Sequence, residues 1–478
     1  MTRLNAMTTS LAGAPPHTRD RFLDLIRTLA VVGVVVQHWT MPVLGYSDGT
    51  LATGNALATP GWWIATWLSQ VMPLVFFAGG AANLISLHRA RATGADTTTA
   101  TRAWLAGRLR RLLLPVLPLL AVWLVVPTVL RDLGVPEQPV AIGGAIAAQL
   151  LWFLAVYLLA IVATPLMAAA HRRFGFAVVP ALALVAVAVD VARFGGVPLV
   201  GYANAVFVWL AAAQLGFHYV DGALGRLSTC RSLAMSAAGF GATALLVAFG
   251  PYAQSMIGMP GAPVSNMSPP NVALVGLAVG QVGLVLAARP LLTRLAARRP
   301  VAAALSWAGP RFMSIYLWHM PALIVVAGVA VVALGYTTPQ PGTLGWLAMV
   351  PVWLAATAAV LAVLVRVAGR FETEPSRTGQ VRSGRTGSDA ARPAATPALT
   401  ALVAASLLGA TGLLGLAARG FGNGPELWAA FVVVAYVLAR PVVSVGQAAT
   451  TSEPDTNPEQ PDSQGAADQT SRSLAGVS

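Results

Sequence analysis

The stretch RFLDLIRTLAVVGVVVQHW (residues 21–39) decides the fold. It is apolar and long enough to cross the hydrocarbon of a bilayer as one helix. It also carries two ionisable side chains, Arg27 and His38. Such groups are expensive inside a membrane helix, so they mark function. Their spacing corresponds to about three helical turns, which puts both on one face roughly 16 Å apart. A fixed cation near one end of that face and an imidazole deep along it suit a site that grips an anionic group and moves a proton.

The rest of the chain repeats the apolar theme. Of 478 residues, 56% are hydrophobic and 10% charged, more apolar surface than a soluble globular protein needs. Spans are expected near 24–45, 62–87, 108–130, 142–168, 176–192, 200–220, 232–250, 271–288, 312–334 and 345–367. Two more are expected at 398–418 and 427–446, giving an all-α polytopic membrane bundle of ten core helices and two C-terminal ones. The 13 Trp and 8 Tyr supply interfacial anchors. The first run is too long for a cleaved signal peptide and reads as a retained helix.

The formal net charge of +13 raises the question of nucleic acid, but the arginines fall in short loops between apolar runs, so no nucleic-acid partner is expected. The loops at 88–111, 171–173, 221–231 and 289–311 are Arg-rich, as are the N-terminus and 366–392. The intervening loops hold only Arg131, Arg193 and Arg419. All Arg-rich loops share one side if both termini are cytoplasmic, which is the expected orientation. The chain has no lysine, which excludes Schiff-base chemistry. A lysine-free, Ala-rich composition points to a GC-rich bacterial genome, so the expected location is a bacterial cell membrane. The single cysteine, Cys230, excludes an internal disulfide and a Cys-ligated cluster within one chain, and no metal is expected.

The expected organisation is a flexible arm at 1–18, a membrane domain at 19–368, a linker at 369–397, the two extra helices within 398–446 and a tail at 447–478. The linker and tail are polar and rich in Gly, Pro, Ser and Thr, so they cannot bury a core.

His38 is the candidate general base toward a hydroxyl. Its alternative is a structural histidine bonded to a neighbouring helix. Asp24 lies nearly on the same face and can pair with Arg27 at i,i+3, or merely complement the helix N-terminus. Arg108 and Arg111 share a face in GRLRRLLLP and can clasp phosphates of a nucleotide-like donor; the alternative is positive-inside anchoring. Tyr316 and His319, in RFMSIYLWHMP, can line an acceptor site or form a packing pair beside a Pro321 kink. His88, His171 and His218 fall at helix ends as interfacial residues, and the GFGNG at 420–424 reads as a turn.

Taken together, these residues resemble the acyltransferase-3 family of integral membrane O-acyltransferases, which includes polysaccharide and macrolide acyltransferases. LDLIRTLAVVGVVVQH matches its Arg, ten residues, His pattern at Arg27 and His38. RLRRLLLP (108–115) matches its Arg-x-x-Arg motif at Arg108 and Arg111. MPLVFFAGGAANL (72–84), LWFLAVYLLAIVATPLM (151–167), WLAAAQLGF (209–217) and SIYLWHMP (314–321) resemble further segments in order, so the likeness spans roughly residues 19–368. Two features depart from the family. Ala78 stands where a Ser usually precedes the glycine of the second motif, and two extra helices and a tail are expected after the membrane domain, where some family members carry a fused hydrolase-like domain.

The resemblance implies transfer of an acyl group, usually acetyl, from acyl-CoA to a hydroxyl of a sugar or glycosylated metabolite. It places His38 and Arg27 at the active centre and Arg108 and Arg111 in donor binding or site integrity, with no bound cofactor. A nearby Arg or Tyr would steady the oxyanion. The competing expectation is a secondary transporter that uses the buried Arg/His face as an ion relay.

Overall fold

The computed structural model describes residues 20–259, 261–371 and 396–440. The expected arm at 1–18, most of the linker and the tail at 447–478 lie outside them. The described residues form an all-α bundle whose only sheet is one two-stranded hairpin. Its helices are α1 (Arg21–Thr40), α2 (Met72–Arg91), α3 (Thr97–Leu113), α4 (Val116–Asp132), α5 (Glu137–Gln149), α6 (Leu151–Phe174), α7 (Val178–Phe194), α8 (Asn204–Val220), α9 (Thr229–Phe249) and α10 (Ala273–Ala287). They continue as α11 (Arg289–Ala297), α12 (Arg299–Ala308), α13 (Phe312–Ala327), α14 (Leu344–Ala368), α15 (Leu399–Arg419) and α16 (Glu426–Leu438).

Among the described residues, nine helical stretches are long and apolar enough to cross a membrane, or ten if α10 and α11, bent by 61° at their junction, count as one. The stretch 137–194 runs for 58 residues. That is far beyond one crossing at about 1.5 Å per residue, and its breaks at Leu150 and 175–177 divide it near the expected spans. The first span ends at Thr40 rather than 45 because Pro42 follows and cannot continue the helix. The chain turns instead into strands β1 (Pro42–Ser47) and β2 (Thr50–Asn55). Asp48 and Gly49, both at positive φ (48° and 77°), make the two-residue turn. The expected spans include no such hairpin. It is latched by Thr338, whose hydroxyl bonds Leu44, and by Gln138, which bonds both backbone groups of Leu51.

The third span also differs from expectation. Its helix starts at Thr97, not 108, because the Asp96 carboxylate accepts from the backbone N–H groups of Thr98 (2.9 Å) and Thr99 (3.0 Å). Hydrogen bonds from Thr99, its hydroxyl foremost, hold the Asp96 carboxyl below the usual carboxylate range. Arg108 and Arg111 therefore occupy the last two turns of α3, ahead of the break at Leu114–Pro115.

Contacts sort the loops into two ends. At one end Arg289 bonds the Gly225 carbonyl and lies over the Phe22 and Tyr219 rings, Tyr219 bonds Asp20, and Arg102 bonds the carbonyls of Thr396 and Pro397. This is the Arg-rich end. The hairpin, the 253–271 loop and Arg193 lie at the other.

Glycines set the tightest helix contacts, as lipid-embedded packing favours. A Cβ on Gly80 would stand 2.2 Å from the Ala213 carbonyl oxygen, and one on Gly216 2.1 Å from that of Phe77, which locks α2 to α8. Gly239 and Gly280 do the same for α9 and α10. The C-terminal helices hold none of the expected site residues. They pack through Gly409 against Leu158 and through Phe421, which stacks on Trp123 and bonds the Gly144 carbonyl. α16 has 13 residues, and the remainder of the expected 427–446 span lies beyond the described residues.

Candidate active site

α1 and α13 bring the two core histidines into direct contact. His38 Nδ1 lies 2.9 Å from His319 Nε2, across 281 residues of sequence. The ring planes differ by 3° with centroids 5.2 Å apart, so the rings meet edge to edge, with N–H and lone pair in line. His319 is fully buried and His38 half-buried. Trp39, the next residue on α1, donates its indole N–H to the His319 carbonyl at 2.8 Å and fixes the register of the two helices.

The hydrogen-bond chain assigns the protons. His319 Nδ1 stands 2.6 Å from the Tyr316 carbonyl oxygen, which can only accept. For a neutral ring, Nδ1 therefore carries the hydrogen and Nε2 offers a lone pair. His38 must then donate through Nδ1, which leaves the lone pair of His38 on Nε2. One backbone carbonyl thus leaves Nε2 as the basic nitrogen of His38, with His319 holding the other side of the ring. Sequence alone offered His319 as lining an acceptor site or as half of a packing pair with Tyr316. A partner 281 residues away leaves no local signal in the chain.

Tyr316 is tied into the helix scaffold. Its hydroxyl donates to the Leu150 carbonyl at 2.8 Å, at the break between α5 and α6, and its ring packs on Phe153 and His319. That proton is committed, so it does not serve an oxyanion in this arrangement. The Leu150 carbonyl also accepts from the Phe153 N–H, so Tyr316→Phe removes one hydrogen bond without orphaning it and should destabilise the protein by about 0.5–1.5 kcal/mol. Thermal unfolding in detergent checks this, and an unchanged midpoint would refute the anchor.

Nearer the Arg-rich end, the Arg27 guanidinium lies 4.7 Å from the Phe312 ring centroid, one cation–π contact from the start of α13. Arg108 is half-buried and bonds the Ala82 carbonyl (3.2 Å) and the Ser86 hydroxyl, which also accepts from Trp104. Arg108 therefore straps α3 to α2. Arg27 and Arg111 both lie close enough to repel its charge. The two arginines of the motif part company, since Arg111 is exposed. Asp24 is half-buried in the first turn of α1, where Asp20 already supplies the capping oxygen to Phe22 and Leu23. Ala78 is buried and Gly79 faces the Tyr157 ring, where a Cβ would stand at 2.8 Å.

Between α2, α6 and α8 lies a narrow cleft lined by Phe76, Gly80, Asn83, Tyr157, Thr164 and Gln214 among others. The amide oxygens of Asn83 and Gln214 are buried without a hydrogen-bond partner. Beyond Gln214, at the Arg-rich end, His171, His218 and Asp221 converge, with one donor atom of each within 4.8 Å of the others. His88 is exposed, near Arg91 and Arg172.

Residues 20–367 match the family described as an acyltransferase domain, of the acyltransferase-3 type. No curated protein and no solved structure matches the chain.

Proposed function

The chain belongs to the acyltransferase-3 family and is a multi-pass membrane acyltransferase; on that premise we propose that it moves an acyl group, acetyl first among them, from acyl-CoA to a hydroxyl of a carbohydrate or glycosylated metabolite. His38 Nε2 takes the hydroxyl proton as the acceptor oxygen attacks the thioester carbonyl. The C–O bond forms, the C–S bond breaks, and the CoA thiolate leaves and recovers the proton from His38. His319 orients the ring and accepts from its other nitrogen as charge develops.

What carries this proposal is the hydrogen-bond chain from the Tyr316 carbonyl through His319 to His38, which leaves a free imidazole lone pair inside a membrane helix bundle. The donor is anionic and water-soluble, and the cations stand toward one end. Arg27 and exposed Arg111 are the groups suited to its phosphates, while Arg108 shapes the mouth by holding α3 on α2.

The experiment is incubation of the purified protein with acetyl-CoA labelled in the acetyl group and a panel of hydroxyl-bearing glycans and glycosides. Label should appear in an alkali-labile ester, with one free thiol released per ester. Solute movement without thioester consumption, and no ester with any acyl-CoA, would favour a transporter and reject the proposal.

A further inference from the structure

We propose that His171, His218 and Asp221 form a binding site for a divalent transition metal of the kind Zn²⁺ represents, at the Arg-rich ends of α6 and α8. His171 closes α6. His218 and Asp221 sit three apart at the end of α8, which turns both toward it. His171 Nε2 lies 3.0 Å and His218 Nδ1 3.6 Å from the same Asp221 oxygen. Ligands bound at about 2.0–2.1 Å in a tetrahedron stand about 3.3–3.4 Å apart, so the observed separations bracket those of a metal site. Two imidazoles and a carboxylate suit zinc-like ions, with a fourth position left for water.

The strongest observation is His218. Its ring is 1% exposed, Phe176 lies flat against it at 4.0 Å, and neither nitrogen has a hydrogen-bond partner. Nδ1 has only the Asp221 carboxylate near it, at 3.6 Å, too far for a normal hydrogen bond; a buried nitrogen left so is costly, and a metal on Nδ1 would satisfy it.

Gln214 provides a second, independent sign. Its amide nitrogen faces His171 Nδ1 at 2.8 Å, while its oxygen is buried without a partner. As placed, Gln214 donates to Nδ1 and His171 Nε2 bonds the Asp221 carboxylate at 3.0 Å; with the amide turned over, its oxygen would accept from Nδ1–H and leave Nε2 a lone pair for a cation. Metal-bound histidines are commonly held this way through their second nitrogen. Asp221 is similarly pre-set. Its Oδ1 accepts from the Ala223 N–H at 2.8 Å, and Arg226 bonds its backbone carbonyl rather than its carboxylate. The carboxylate is 36% exposed, which gives an ion a way in from solution.

The test is titration of the chelator-stripped, full-length protein in detergent with Co²⁺, followed by Zn²⁺. One Co²⁺ per chain should bind with the visible absorption of a four-coordinate N/O site, and Zn²⁺ should displace it. His218→Ala and Asp221→Asn should abolish the signal, Gln214→Leu should weaken binding by about 10–100-fold, and the exposed His88→Ala should bind as wild type. Absence of stoichiometric binding by the stripped wild type overturns the proposal without reference to any variant's folding. So does a signal that survives in folded His218→Ala or disappears in His88→Ala.

Discussion

Replacement of His38 by alanine is expected to reduce acyl transfer by roughly 10²–10⁴-fold, the range over which a positioned general base acts. The expectation rests on direction as well as proximity. The Tyr316 carbonyl fixes His319, His319 Nε2 accepts from His38 Nδ1, and only His38 Nε2 is left to take a proton. His319→Ala should also impair transfer, because His38 loses the group that selects its tautomer and holds its ring. Groups that act as one unit do not add in free energy. The double variant should therefore be no slower than the slower single variant. Rates would be compared per mole of monodisperse protein, with labelled acetyl-CoA as donor. His38→Ala retaining activity within tenfold of wild type would remove His38 from the chemistry. Strict additivity of the two losses would break the relay.

The largest stability effect is expected at Gly216. A Cβ there would stand 2.1 Å from the Phe77 carbonyl oxygen and 2.7 Å from the Ala81 nitrogen, and both of these atoms are backbone. No side chain can move aside, so α2 and α8 must separate, carrying with them the Gly80–Ala213 contact and the cleft between them. Gly216→Ala should cost about 3 kcal/mol or more, at the upper end of overpacking. Gly241 is the control. It lies inside α9, and a Cβ added there would meet nothing within 4 Å. Alanine at that position should be neutral or stabilise by about 0.5–1 kcal/mol. Thermal midpoints in detergent decide the matter. A Gly216→Ala protein as stable as Gly241→Ala would mean that the close approach does not hold the bundle.

Much of the architecture was legible because membrane spans are written locally. Apolar length, the prolines at their ends and the clustering of arginine are properties of contiguous residues, and the helices fall near the expected intervals. The misplacements have local causes too. Pro42 stops α1 early and starts the Asp48–Gly49 hairpin, and the Asp96 cap starts α3 before the apolar run begins. The site was half legible. Arg27 and His38 stood out because a charged residue in an apolar run has few explanations.

The roles of the partners were not legible, since they depend on which helices adjoin. Arg108 and Arg111 look equivalent in sequence, yet one straps α3 to α2 and the other is exposed. Tyr316 and His319 share a helix, yet one anchors the Leu150 break and the other completes the relay. His171 and His218, expected as separate interfacial residues, meet at Asp221. By itself, then, the sequence determined the membrane bundle, its Arg-rich end and the cost of placing His38 inside it. Only the tertiary structure decided which atom of His38 is free to act, because a tautomer is set by a hydrogen-bond partner, and that partner reaches the site from a distant helix.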